Sequence, residues 1–65
     1  MEVLTWQARN SKKMSLVKLS KLTGISKSTL NNIDNGRTSP TINQLEAIAK
    51  ALNVKISDLY DSEYK

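Results

Sequence analysis

The tightest constraint on this chain is a connector of only about three residues, Thr23-Gly24-Ile25, between two stretches of helical periodicity. Upstream, Leu16, Leu19 and Leu22 recur at helical spacing behind Ser15, a good N-cap. Downstream, Ser26 caps a second stretch whose inward residues are Leu30 and Ile33. Gly24 tolerates the left-handed backbone that usually stops a helix. So short a link is too tight for a relaxed antiparallel hairpin and favours a steep crossing of the two helices. Ser20 is small enough to let their backbones approach closely there.

The rest of the chain also reads as helix, with no β-alternation of any length. A first helix is expected over about residues 2–12, with Leu4 and Ala8 on one face, Trp6 nearby, and a break at Met14-Ser15. The second lacks a capping-box acid, since Lys18 stands three residues after Ser15. The third ends at Asn35-Gly36, and residues 37–40 form a loop. Thr41 with Gln44 makes a capping box for a fourth helix, whose stripe is Ile42, Leu45, Ile48, Ala49 and Leu52. Residues 54–60 read as a short fifth helix with Ile56 and Leu59 inward, and residues 61–65 as a frayed tail. The expected fold class is all-α: a compact five-helix domain spanning residues 1–65, with a helix-turn-helix at about residues 15–35.

Composition narrows the chemistry. With 65 residues and neither Cys nor His, the chain lacks disulfides, common zinc sites and the usual nucleophile–base pairs. Its six carboxylates (Glu2, Asp34, Glu46, Asp58, Asp61, Glu63) are scattered, so no metal, no cofactor and no catalytic residue is implied, and no enzyme is expected. No apolar run approaches the ~18–20 residues that cross a bilayer, and the N-terminal order is not that of a signal peptide. A soluble cytoplasmic protein with no membrane partner is the default expectation. Residues 1–37 hold seven basic groups (Arg9, Lys12, Lys13, Lys18, Lys21, Lys27, Arg37) against Glu2 and Asp34, a net of +5. Residues 38–65 carry a net of −1, so one half of a small domain is electropositive, as a polyanion-binding face would be.

The third helix holds the chemistry. Lys27, Ser28, Thr29, Asn31 and Asn32 crowd a segment anchored only by Leu30 and Ile33. Ser, Thr and Asn are mediocre helix formers, because their side chains compete for nearby backbone groups. A solvated helix face chosen for stability would use better formers. Asn presents a donor and an acceptor together, which suits the N6/N7 edge of adenine; Lys donates to the O6/N7 acceptors of guanine, and Ser or Thr serves either. Aromatic and basic residues do not interleave, which argues against single-stranded nucleic acid. Trp6, Tyr60 and Tyr64 are read as core or surface residues.

Taken in order, Arg9, Ser15-Leu16-Val17-Lys18-Leu19-Ser20, residues 23–30, residues 32–37, Pro40 and Leu45 with residues 48–54 resemble the Cro and phage-repressor (xenobiotic-response-element-like) helix-turn-helix family. The resemblance implies a lambda-repressor-like fold and a recognition helix at about residues 26–34 in the DNA major groove. By position, Lys27, Ser28 and Asn32 fall where the family reads base edges, with Asn31 beside them. Ser26 and Thr29 flank them as phosphate contacts, Ser15 meets a phosphate from the start of the second helix, and Asn35, Arg37 and Thr38 grip the backbone from the following loop. Arg9 and Asp34 take the place of the family's internal ion pair.

Several positions depart from the family pattern. Leu16 stands where Gln often holds phosphate, Lys18 where an acid is common, Ser20 for Ala and Asp34 for Glu. Thr5 replaces a large apolar residue, so Trp6 or Leu4 is expected to compensate in the core. The resemblance points to a sequence-specific regulator of transcription, a repressor acting as a homodimer on a palindrome, with Val54, Leu59 and Tyr60 as its seam. Its control would come from its own concentration or a regulatory protein partner. The competing reading is a protein-interaction module, antitoxin-like or adaptor, which predicts an exposed apolar patch instead of a basic groove-facing surface.

Overall fold

The computed structural model describes residues 1–64. Strand β1 (Glu2–Val3) leads into helices α1 (Thr5–Ser11), α2 (Leu16–Thr23), α3 (Lys27–Asp34) and α4 (Ile42–Leu52). A 3₁₀ turn (Ile56–Leu59) and strand β2 (Tyr60–Asp61) complete the order. The described residues therefore form four α-helices, not the five expected.

Both differences lie at the ends of the fold and share one cause. The first helix starts at Thr5 instead of residue 2, because Glu2 and Val3 pair antiparallel with Asp61 and Tyr60. The Leu4 N–H extends that pairing, donating to the Leu59 carbonyl at 2.8 Å. The segment read as a fifth helix tightens into a single 3₁₀ turn so that Tyr60 emerges extended (φ −152°, ψ 159°) to meet β1. That turn is closed by Asp58, whose carboxylate accepts from the Lys55 N–H at 3.1 Å while its own N–H donates to the Lys55 carbonyl at 2.9 Å. Asp61 is thus part of β2 and not of a frayed tail, while Lys65 lies outside the described residues.

The core comprises Leu19, Leu30, Leu45, Ile48, Ala49, Leu52 and Leu59, with Ile33 also fully buried. Two residues expected in helical stripes stay outside it. Leu22 is 56% exposed and Ile42 70% exposed, each in an end turn of its helix. Leu59 is fully buried, which removes it from the expected dimer seam. Trp6 is 53% exposed and does not fill the core; Thr5 itself does, at 1% exposure.

Helix ends follow from local chemistry. Ser15, Ser26 and Thr41 each accept the N–H three residues on, from Lys18, Thr29 and Gln44. Gln44 returns the bond to the Thr41 N–H at 2.9 Å, completing the expected capping box. Helices α1, α3 and α4 close with a bond reaching back five residues: Met14 to Arg9, Arg37 to Asn32, and Val54 to Ala49. Each needs a left-handed residue, supplied by Lys13 (φ 54°), Gly36 (φ 73°) and Asn53 (φ 57°). Helix α2 ends differently.

Candidate nucleic-acid interface

The turn between α2 and α3 is stitched by side chains. Gly24 adopts φ 75° and donates its N–H to the Ser20 carbonyl at 2.9 Å. The Ile25 N–H turns away from the helix and donates to Thr23 Oγ1 at 3.2 Å. Its carbonyl accepts the Ser20 hydroxyl at 2.6 Å, and the Thr23 hydroxyl donates to the Leu19 carbonyl at 2.8 Å. Both polar backbone groups of the central turn residue are therefore satisfied by hydroxyls of α2. Ser20, read from sequence only as a small residue at a crossing, fixes the start of α3.

The other end of α3 is held by charge. Asp34 Oδ2 accepts from Arg9 Nε at 3.2 Å and Nη2 at 3.1 Å, and its Oδ1 accepts the Thr5 hydroxyl at 2.7 Å. Arg9 Nη1 donates to the Met14 carbonyl at 3.1 Å. The ion-pair side chains are only 12% and 5% exposed, so this is a buried pair with its hydrogen-bonding capacity well used. A shorter acid at position 34 and a hydroxyl at position 5 are thus one linked arrangement, in which the Thr5 hydroxyl serves the oxygen that Arg9 leaves.

Between these anchors α3 turns one face outward. Lys27, Ser28 and Asn31 are exposed, Asn32 is half-buried, and Leu30 and Ile33 point into the core. Lys27, Ser28 and Asn31 line one shallow groove, and its fourth wall is Leu16 at the start of α2. Ser15, next to Leu16, uses its oxygen to accept the Lys18 N–H, and its hydroxyl hydrogen has no acceptor among the described residues. The Ser26 hydroxyl donates to Thr29 Oγ1 at 2.8 Å, so Thr29 is the member of that pair with a hydroxyl hydrogen left to offer. The first amides of α2 and α3 also lack intrahelical acceptors, as at any helix start. These are donors suited to an anionic or carbonyl-rich surface.

The remaining site residues lie past the C-terminal end of α3. Asn35 and Thr38 line a second recess with Gly36, Ser39, Gln7 and Asp34. Asn35 Nδ2 donates to Asn31 Oδ1 at 3.4 Å, linking this end to the outer face of the helix. Arg37 is exposed, and its backbone N–H is the one that closes α3 on the Asn32 carbonyl at 2.9 Å. The structure therefore gathers Lys27, Ser28 and Asn31 in one groove and sets Asn35, Arg37 and Thr38 at the opposite end of the helix. Sequence reasoning missed Leu16 as a wall of that groove. Its signal was its place beside Ser15, at the position of a family polar contact.

Two helices joined by this stitched turn, the second exposing a polar face, define a helix-turn-helix domain. The helix-turn-helix family model of the Cro/C1 type matches residues 7–59, and the chain belongs to this family of DNA-binding transcription regulators. Among solved structures it is similar to the N-terminal DNA-binding domain of SinR from Bacillus subtilis (31% identity, TM-score 0.79), covering 94% of this chain and 90% of that one. It is also similar to a transcriptional regulator from Vibrio cholerae (40% identity, TM-score 0.76), covering 82% of this chain but only 30% of that longer one. The restriction-modification controller protein C.AhdI from Aeromonas hydrophila shares the fold at TM-score 0.81 with 21% identity, covering 86% of this chain and 85% of that one. Among curated proteins, none matches the chain by sequence. No helix among the described residues is long and apolar enough to cross a membrane.

Proposed function

We propose that residues 1–65 act as one helix-turn-helix unit that reads a specific double-stranded DNA sequence in the cytoplasm and represses transcription there as a homodimer on a palindromic operator. The observation that carries this reading is the outward face of α3, where Lys27, Ser28 and Asn31 converge on one groove while Leu30 and Ile33 hold the helix from behind. In the complex, α3 enters the major groove and Lys27, Ser28, Asn31 and Asn32 meet base edges. Ser15, Ser26, Thr29, Asn35, Arg37 and Thr38 lie on phosphates to either side. Arg9 and Asp34 keep the helix in place and touch no DNA.

One unit of this size buries only roughly 600–1,000 Å² on DNA. Useful specificity then calls for two copies on half-sites about one helical turn, ~34 Å, apart. Selection of duplexes from a random library at near-physiological salt tests this directly. Enrichment of a palindrome supports a dimeric reader. A single short enriched site keeps the DNA role and rejects the dimer. If nothing enriches above non-specific binding, the DNA reading fails.

A second reading has one observation in its favour. Leu22, 56% exposed, lines a shallow recess with Thr23, Ala47, Lys50 and Ala51, away from the α3 groove. Failure of the DNA selection would bring this recess forward as a seat for a regulatory protein partner.

A further inference from the structure

Leu16 is the one residue of the α3 groove that the DNA reading leaves without a task. It is the first residue of α2, it packs partly against the core, and the rest of its side chain walls the groove beside Lys27, Ser28 and Asn31. All three of its groove neighbours are polar, so the groove has an apolar wall within reach of donors and acceptors. Base edges in the major groove carry donors and acceptors at every pair, and thymine alone adds an apolar group, its C5 methyl.

We infer that Leu16 is a specificity-determining residue that packs on the C5 methyl of a thymine lying among the base pairs read by Lys27, Ser28 and Asn31. The inference rests on the proposed DNA reading and deepens it, since it names one base of the operator by its chemistry. Polar contacts from α3 alone leave a thymine methyl facing water or a polar atom. With Leu16 in the groove wall, a methyl at that place is covered from the α2 side. Reading is then shared by both helices of the motif, α3 through hydrogen bonds and α2 through an apolar contact.

The test uses the wild-type protein and its selected duplex, with each thymine replaced singly by deoxyuridine. That change removes one methyl and leaves every hydrogen-bonding group in place. Burial of one such group predicts that a single replacement per half-site weakens binding by about threefold to fivefold, the others having little effect. Leu16→Ala, checked by thermal unfolding to remain folded, should then bind the thymine and deoxyuridine duplexes equally. If no thymine is sensitive to the replacement, or the selected half-site prefers none, the inference is overturned while DNA reading stands. If a thymine is sensitive but remains equally so in Leu16→Ala, another residue reads the methyl and the inference again falls. Failure to select any site overturns the DNA reading itself, and this inference with it.

Discussion

The two ends of α3 are held by different physics. At its start, hydroxyls of Ser20 and Thr23 satisfy the backbone of Ile25, and Gly24 supplies the left-handed turn. At its finish, a buried carboxylate is gripped by Arg9 and Thr5. The start is a set of neutral bonds in a half-exposed turn, each worth about 1 kcal/mol. The finish is a buried charge pair, whose net worth against an apolar replacement is small but whose rupture is expensive. The proposed reading of DNA requires α3 to hold its angle at both ends, and it has a tolerant end and an intolerant one.

The intolerant end gives the largest expected effect. Asp34→Ala leaves Arg9 buried without its partner and should cost about 3–5 kcal/mol. That is a large share of the net stability of so small a domain, so urea denaturation should show a variant unfolded in much of its population. A loss below about 1 kcal/mol would mean that the pair behaves as an exposed one and that the contrast between the ends is false.

At the tolerant end Gly24→Ala should cost about 1–2 kcal/mol, from the left-handed backbone alone. An added Cβ there meets nothing within 4 Å, so sterics with neighbours contribute nothing. Ser20→Ala should cost less, about 1 kcal/mol, since the Ile25 carbonyl can regain part of its bonding from water. Thermal unfolding of both would rank them, and a reversed order would show that the hydroxyl stitch, not the glycine, sets the turn. Smallest of all in stability is Lys27→Ala, which should move it by no more than about 0.5 kcal/mol. Its effect belongs to binding, where loss of a good base contact should weaken the selected site by about 1–3 kcal/mol and relax preference at one position.

What could be read from sequence divides along a similar line. The caps at Ser15, Ser26 and Thr41 and the stop at Gly24 were legible, because each depends on residues within one turn of helix. The pairing of Glu2 and Val3 with Asp61 and Tyr60 was not, since strands of two residues have no alternation and their partners lie at the far end of the chain. Helical stripes named α2, α3 and α4, but they overreached at residues 54–60, read as a fifth helix, and at Leu22 and Ile42, which stay exposed. Thr5 and Asp34 looked like two separate departures from a family pattern; only the 2.7 Å bond between them shows a single substitution of means. At the candidate interface, the outward residues of α3 followed from periodicity once Leu30 and Ile33 were placed inside. Leu16 did not, because the groove it walls exists only when α2 and α3 are brought together.

The pairing of β1 with β2 has a consequence for how the chain is made. Glu2 and Val3 are made before all four helices, yet their partners Tyr60 and Asp61 come after them. Until then β1 has no strand to join, and Leu59, the last core residue, is missing as well. The contacts among α1 to α4 need no residue beyond Leu52, whereas the seam between β1 and β2 has to wait until Tyr60 and Asp61 have been made.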